Sequence, residues 1–563
     1  MELFFKDKYR FWFILSIITA ILFSFSGLKI ALQSSYTIQD DTRQYIFWMQ
    51  HNNNNFWQND LIADYFKSVT PTGFTNLYRL AASWGIDVFF FNKISTLIIG
   101  IATTIYCFLV CLEIFPIPFA GFISSLLLNQ NLWMVDDLSS GTPRAFIYVL
   151  LLAFFYYLLR QNLLLFLLTI IVQGLFYPQA VLISLTVLAL RLLNSKNHRK
   201  LELWGIFLSI IVLAIYSGQS SNFAPVITAE QAKLLPEFLP EGRSAFFFSS
   251  FSEFWLISRR SGFFPIEWQY SLMCAYGISL WWLKQYPERF PLVKQLKPAI
   301  YVLLELFLAS IILFFLAHLL LFRLHLPGRY THHTIRIIIA LVDGITIAIV
   351  FDKLAAWITE ICNKGFLSSQ SVFKRSNAPT IKFVIIIPLL MALLYPTYAV
   401  QSYPERLGYV TGESPAMYLF LQQQPKDILI ATLSKEGNFI PSLAARSVLA
   451  AEEYAIPYHR GYYEQIARRV RDLITAQYSL DRETLVNFST KYRIDLLLID
   501  KDAFTVEYLL KNPWLQQFQP ETNRAIKQLN EGKKPFLLQY RDRCTIFQDK
   551  NNTLIDTNCL QQK

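Results

Sequence analysis

The chain has 563 residues, of which 54% are hydrophobic and 16% aromatic, and its mean hydropathy is +0.34. Apolar residues this abundant, gathered in long runs, exclude an ordinary soluble protein. The net charge of +11 does not point to nucleic acid, because the basic residues are scattered among loops rather than gathered on one helix or tail. A bias of Lys and Arg toward cytoplasmic loops accounts for part of the excess.

A membrane-spanning helix needs about twenty mostly apolar residues. Lys6, Lys8 and Arg10 precede Phe11–Ala31, a run longer than a signal-peptide core and without a small-x-small cleavage site. It is read as an uncleaved first span. A polar loop, 32–86, follows. Asn92–Leu112 and Phe119–Val135 are the next spans, separated by Pro116 and Pro118. Ala145–Leu159, Leu163–Phe176 and Ala180–Leu193 follow, the last two short for full spans. Leu203–Ser217 crosses again. The stretch 218–269 is polar and carries Arg243, Arg259 and Arg260. Tyr270–Leu283 is the weakest span, and Ile300–Phe322, Ile337–Val350 and Phe383–Tyr398 complete the set.

The total is about eleven spans. With a cytoplasmic N-terminus, the basic loops Arg191–Lys200, Lys284–Lys297 and Lys353–Lys382 fall inside. Loop 32–86, the turn at Asp136-Asp137, loop 218–269 and the tail fall outside. From Gln401 onward the composition is that of a soluble domain. Asp427–Thr432, Ile494–Asp500 and Phe536–Tyr540 read as strands. Tyr462–Tyr478 and Glu483–Tyr492 read as helices. The expected fold is an α-helical polytopic membrane domain, 1–400, followed by a soluble extracytoplasmic α/β domain, 401–563. Six cysteines make no Cys-x-x-Cys pair, which argues against zinc. Cys544 and Cys559 form a candidate disulfide if their side of the membrane is oxidising.

The chemistry is sought where charge sits beside spans, because such charge is costly and often functional. Asp40 and Asp41 lie just after the first span, with Arg43 and Tyr45 beside them. In the same loop Asp60 and Asp64 are four apart, on a stretch expected to be a helix lying on the membrane surface with both acids on one face. Asp136 and Asp137 form a second acidic pair, followed by Arg144. Two acidic loops on one face can chelate Mg²⁺ or Mn²⁺, which take oxygen ligands, or one carboxylate can take a proton from a hydroxyl. The stretch Arg323–Arg336 is expected as an outer loop between two spans, with Arg329, Tyr330, His332, His333 and Arg336. Arginine there runs against the positive-inside bias, and its planar fork suits phosphate oxygens. In the tail, Arg446 and Tyr458–Tyr463 suit a polar ligand, an ordinary surface being the simpler reading.

The acidic first loop, the many spans and the soluble tail resemble the C-type (GT-C) glycosyltransferase superfamily, membrane enzymes that use polyprenyl-phosphate sugars. In that superfamily an acid of the first loop is catalytic, and the matching residues are Asp40 and Asp41. Some members bind metal with a second acidic motif, matching Asp136 and Asp137. Several bind the donor phosphate with basic residues of the outer face, which suggests Arg329 and Arg336. The Asp-Asp-x-Arg-Gln, Asn-Asp-Leu-Ile-Ala-Asp-Tyr-Phe and Pro-x-Arg-Tyr-Thr stretches are similar to those of bacterial, especially cyanobacterial, multi-span proteins. The pair is Asp-Asp rather than the Asp-Glu of protein mannosyltransferase relatives. The Trp-Trp-Asp motif of oligosaccharyltransferases is absent from the sequence, which argues against transfer to asparagine sequons.

The expectation is an inverting glycosyltransferase of the bacterial inner membrane. It would move a sugar from a polyprenyl-phosphate donor, a membrane lipid, to a glycan, lipid or protein acceptor, with no nucleic acid partner. Asp40 and Asp41 would be catalytic. Arg43, Tyr45, Asp60, Asp64, Arg144, Arg329, Tyr330, His332, His333 and Arg336 would contact substrate, and Asp136 and Asp137 are candidate ligands for Mg²⁺ or Mn²⁺. The rival readings are a transporter or flippase of lipid-linked or anionic cargo, and a noncatalytic assembly protein.

Overall fold

The computed structural model describes residues 8–50, 57–194, 199–218, 222–265, 279–367 and 404–561. Helix α1 (Tyr9–Ala31) leads into strand β1 (Thr37–Gln39) and α2 (Leu61–Val69). Next come α3 (Val88–Ile114), α4 (Pro118–Leu132), α5 (Ile147–Leu159), α6 (Leu163–Phe176), α7 (Pro178–Asn194) and α8 (Arg199–Ser217). They are followed by α9 (Tyr301–Leu319) and α10 (Gly328–Leu367). Among the described residues five segments are long and apolar enough to cross a membrane: α1, α3, α8, Pro298–Leu319 and Gly328–Trp357. The expected spans at Ala145–Leu159, Leu163–Phe176 and Ala180–Leu193 correspond to shorter apolar helices. Most of Tyr270–Leu283 and all of Phe383–Tyr398 lie outside the described residues.

The bundle is built around α4, which packs against α10, α3 and α1. Every residue of α4 except Phe122 is buried. Its small and polar residues let neighbouring backbones approach, as packing without a hydrophobic drive between helices requires. Ser125 Oγ donates to the Gly121 carbonyl at 2.7 Å and reaches Ser16 Oγ of α1 at 3.2 Å. Asn129 Nδ2 donates to Thr104 Oγ1 of α3 at 2.8 Å. Gly344 of α10 rests directly on Ser124; a Cβ there would stand 2.6 Å from the Ser124 nitrogen and 2.7 Å from its Cα.

The segment after Pro404 forms a five-stranded sheet in the order β4-β3-β5-β7-β6. Strands β3 (Leu429–Thr432), β4 (Ser447–Val448) and β5 (Leu496–Asp500) are mutually parallel where they pair. Strands β6 (Thr545–Gln548) and β7 (Asn552–Asp556) add antiparallel to the β5 side. Helices α11 (Arg460–Gln477) and α12 (Arg482–Tyr492) fall close to their expected places. Phe536–Tyr540, expected as a strand, is instead the start of helix α13 (Phe536–Cys544). Pro535 precedes it, Phe536 and Tyr540 stack one turn apart at 4.4 Å, and Arg541 and Arg543 close its last turn. Cys544 and Cys559 are joined by a disulfide.

The first loop packs against the sheet region. Ile46, Phe47, Ile62 and Phe66 share one buried apolar cluster with Tyr418, Ile430, Tyr462 and Leu498 of the sheet region. A second strand contact fixes the join. Strand β2 (Tyr409–Thr411) pairs antiparallel with β1, Gln39 opposite Tyr409 and Thr37 opposite Thr411. Gly408, with φ +68°, makes the turn before β2, where a Cβ would stand 2.9 Å from Gln39 Nε2 and 3.3 Å from Asp136 Cβ. Both acidic loops therefore depend on this glycine's lack of a side chain.

Gly344→Val should force α10 away from α4 and lower stability by roughly 1–3 kcal/mol, the usual cost of overpacking. Thermal unfolding of the full chain in detergent checks this, and unchanged stability would contradict the close approach.

Candidate functional site

A cavity of 1520 Å³ lies where the first loop, the turn after α4 and the start of α10 meet. Asp40, Asp41, Tyr45, Asp136, Asp137, Arg144, Arg329, Tyr330, His332 and Arg336 all line it. Ile171 and Leu175 of α6, Leu182 of α7 and Ile210 and Leu213 of α8 give it an apolar wall. Ile171, Leu175 and Ile210 are exposed. Polar charge and an apolar wall thus meet in one opening.

Asp137 is a buried charge, its side chain only 4% exposed. The turn Asp136–Ser139 follows the end of α4 and aims it inward. Arg336 Nη1 and the Tyr148 hydroxyl both donate to its Oδ2 at 2.7 Å. Arg144 Nε and Arg329 Nη1 stand 3.4 and 3.6 Å from its Oδ1. His333 Nδ1 is 3.5 Å from Oδ2 and 3.0 Å from the Tyr148 hydroxyl. Burial alone would push this carboxyl up, but Arg144 and Arg336, with His333, hold it well below the usual carboxylate range. Asp136 is lowered in the same sense: burial raises it, as does the neighbouring Asp137, but Arg144, Arg259 and Arg329 together outweigh both.

Arg144 joins the two acidic loops. Its Nη2 lies 2.6 Å from Asp41 Oδ2 and 3.2 Å from Asp136 Oδ2. Thr42 Oγ1 donates to the Ser140 carbonyl at 2.9 Å, and Asn92 Nδ2 donates to the same oxygen at 3.0 Å. The loops are therefore locked by backbone as well as by charge.

Asp40 and Asp41 part company. The Asp40 backbone N–H donates to the Gly408 carbonyl at 2.8 Å. Its side chain, 44% exposed, is paired with Arg43. Arg43 is itself buried, donates to Glu453 Oε2 at 2.7 Å, and sits over the Phe439 ring at 4.6 Å. Gln44 also donates to Glu453, and Arg243 Nη2 reaches its Oε1 at 2.8 Å. Burial and the neighbouring Glu453 raise the Asp40 carboxyl, against the opposing pull of Arg43 and Arg243.

Several expected residues stand elsewhere. Arg43 and His333 support the site from behind rather than lining it. Asp60 is the N-cap of α2, accepting from the Ile62 and Ala63 N–H groups at 2.8 and 2.9 Å. Asp64 is exposed, so the two acids do not share a face, and neither lines the cavity. Arg329–Arg336 is not an outer loop: Pro327 ends the loop, and these residues form the first turns of α10. Tyr330 donates to the Leu324 carbonyl at 2.7 Å, and His332 Nε2 is 3.1 Å from the Gly262 carbonyl. Arg446 is occupied by backbone carbonyls, including that of Gln422 at 2.7 Å. Tyr458 and His459 do line the cavity.

Asp136 and Asp137 do not present open oxygens for Mg²⁺ or Mn²⁺. Mg²⁺ takes about six oxygens in near-ideal octahedral geometry. Here Asp136 Oδ1 faces Arg259 Nη2 at 3.7 Å, and its Oδ2 and both oxygens of Asp137 already face guanidinium groups. Among the described residues no group of three His, Cys, Asp or Glu is arranged to hold an ion. The residues present do not fit a divalent ion.

Glu453, Arg243, Arg259, Arg260 and Arg323 line the cavity too. Arg260 is held by the Arg243 and Ala245 carbonyls at 3.1 and 3.5 Å. Arg323 lies in a turn where Phe322 and His325 both take positive φ, an unusual conformation outside glycine. Burial and Arg329 push the His325 imidazole down to about 3, so it is neutral. In sequence the arginines of 218–269 were visible as charge in a polar loop. Glu453 carried no local signal.

Because Asp137 is held below its ordinary value, it stabilises the fold fully above that value, and the stabilisation is lost as pH falls through the lowered one. R336M should cost roughly 3–5 kcal/mol by leaving a buried carboxylate short of a partner, and R336M/D137N should recover part of that loss. Unfolding in detergent at neutral pH checks both; an additive double variant would contradict the pairing.

No protein-family model matches the sequence, and no curated protein matches it. Among solved structures, the chain is similar to the oligosaccharyltransferase of Archaeoglobus fulgidus in its apo form. The match has 13% identity and a TM-score of 0.51 and covers 90% of this chain and 72% of that one. The same enzyme tethered by a disulfide to an acceptor peptide with the NVT sequon gives 12% identity and a TM-score of 0.49, over 93% and 72% of the two chains. Its complex with an inhibitory peptide and a dolichol-phosphate gives 12% and 0.44, over 92% and 72%. The C-type glycosyltransferase fold, expected from the acidic first loop and the many spans, is the fold of this chain.

Proposed function

We propose that the chain is an inverting membrane glycosyltransferase that moves a sugar from a polyprenyl-phosphate donor to a hydroxyl-bearing glycan, lipid or protein outside the cytoplasm. The observation that carries this reading is the cavity itself. A first-loop acid with a raised proton affinity faces a cluster of arginines across one opening that has an apolar wall. An apolar chain can lie along α6–α8 while its phosphate reaches Arg144, Arg259 and Arg329. The oligosaccharyltransferase fold is consistent with this, and the disulfide Cys544–Cys559 suits an oxidising, extracytoplasmic side. The distribution of basic loops supports a cytoplasmic N-terminus, and the resemblance to bacterial multi-span proteins supports a bacterial inner membrane.

In this reading Asp40 is the base. It takes the proton of the acceptor hydroxyl as that oxygen attacks the anomeric carbon. The bond from that carbon to the phosphate oxygen breaks, and its electron pair leaves with the phosphate. Fixed guanidinium groups stabilise the growing negative charge there because they need no reorganisation. Attack opposite the leaving group inverts the carbon. Asp41 positions Arg144, and Arg43 and Glu453 position Asp40.

D40N should lower the transfer rate by about 10²–10⁴-fold while leaving binding of a polyprenyl phosphate intact. Equal transfer by D40N would sink the assignment. Binding and movement of the lipid across a bilayer without any covalent product would favour a flippase.

The pH dependence has a definite sign. A base with a raised value needs a higher pH to lose its proton, so transfer should rise through that raised value and level off above it. The charged groups acting on Asp40 are Glu453, Arg43 and Arg243. E453Q removes the like charge, so the acid limb of the pH–rate profile should move to lower pH. An unmoved limb would exclude Asp40 as the titrating base.

A further inference from the structure

Three carboxylates from two loops, Asp41, Asp136 and Asp137, line the cavity and converge on one guanidinium. In an open site that convergence would suit a hard divalent cation. Here a side chain stands at the point of convergence. Arg144 lies within 2.6, 3.2 and 3.4 Å of the three carboxylates in turn. Its guanidinium is planar and always charged, and its donors are set in a fixed fork, so it can face several carboxylate oxygens at once.

The charge balance points the same way. Arg144, Arg259, Arg329 and Arg336 supply four positive charges to the three carboxylates. The cluster is already positive by one. A divalent ion would raise that excess to three in a largely buried site, and it would have to strip Asp137 of Arg336 and Tyr148, both at 2.7 Å. Displacing such charge-assisted partners from a buried carboxylate is expensive. The surplus instead suits an anion arriving in the cavity.

We infer that Arg144 occupies the place of a divalent cation: it ties the two acidic loops together and offers a fixed positive charge to the donor phosphate, so the phosphate is held without a bound metal. The role of the phosphate rests on the transferase reading above; the exclusion of metal does not. Arg144 brings one charge where an ion would bring two, and Arg259 and Arg329 beside it make up the difference. Since the guanidinium is covalently part of the chain, chelators cannot remove it.

Mn²⁺ titration of the full chain in lipid nanodiscs, followed by electron paramagnetic resonance, tests this directly. The unsubstituted protein should take up no Mn²⁺ that D136N abolishes. R144Q leaves the carboxylates short of a cation and should bind Mn²⁺ at least about tenfold more tightly, whereas R144K should continue to exclude it. One Mn²⁺ bound by the unsubstituted protein as tightly as by R144Q, and lost in D136N, would overturn the inference. Should R144Q fail to fold, the unsubstituted protein still decides. Its binding of farnesyl phosphate should be the same in EDTA as in Mn²⁺, and binding that requires Mn²⁺ would overturn the inference. Failure to bind farnesyl phosphate under either condition would instead overturn the transferase reading, with the Mn²⁺ titration still deciding the question of metal.

Discussion

One buried carboxylate organises the site. Asp137 sits almost out of reach of solvent, where an ionised group is tolerated only with partners. Its partners come from two helices far apart in sequence: Tyr148 from α5, and Arg329, His333 and Arg336 from α10, with Arg144 from the turn just before α5. Meeting the needs of that one charge brings the end of α4, the start of α5 and the start of α10 to a point. Arg144 then extends the network to Asp41 and so to the first loop. The cavity is the space that these constraints leave open.

A second tie works from the other side. Glu453 lies in the sheet region, 410 residues from Arg43, and accepts hydrogen bonds from Arg43 and Gln44 of the first loop and from Arg243. The pairing of β1 with β2 repeats the connection through backbone. The acidic loop is thus held between the helical bundle and the sheet rather than hanging from the first span. Asp40 gains a defined position, and burial, with a negative neighbour in Glu453 and positive ones in Arg43 and Arg243, sets its proton affinity. Asp41, one residue on, turns toward Arg144 and takes a different part.

The sequence shows most clearly what is written in local pattern. Long apolar runs marked α1, α3 and α9 to within a few residues, and Leu163–Phe176 matched α6 at both ends. The two acidic pairs stood out because charge beside a span is costly, and both line the cavity. What escaped was set partly by local competition and partly by contacts across the chain. Phe536–Tyr540 has strand-like residues, but a helix start after Pro535 and the stacking of Phe536 on Tyr540 prevail. Asp60 and Asp64 have helix-face spacing, yet capping takes the first out of the helix proper. A pair of acidic loops reads as a metal site until the arginines from other helices are placed among them. Glu453 is invisible alone, because its significance lies wholly in Arg43, Gln44 and Arg243.

The most direct test is an experimental structure of the full chain in a bilayer mimic with a bound polyprenyl-phosphate sugar analogue. The phosphate should lie against Arg144 and Arg329, the lipid chain along Ile171, Leu175 and Ile210, and the anomeric carbon on the side of Asp40. A lipid bound on another face of the bundle, or a phosphate held away from these arginines, would contradict the assignment of the cavity.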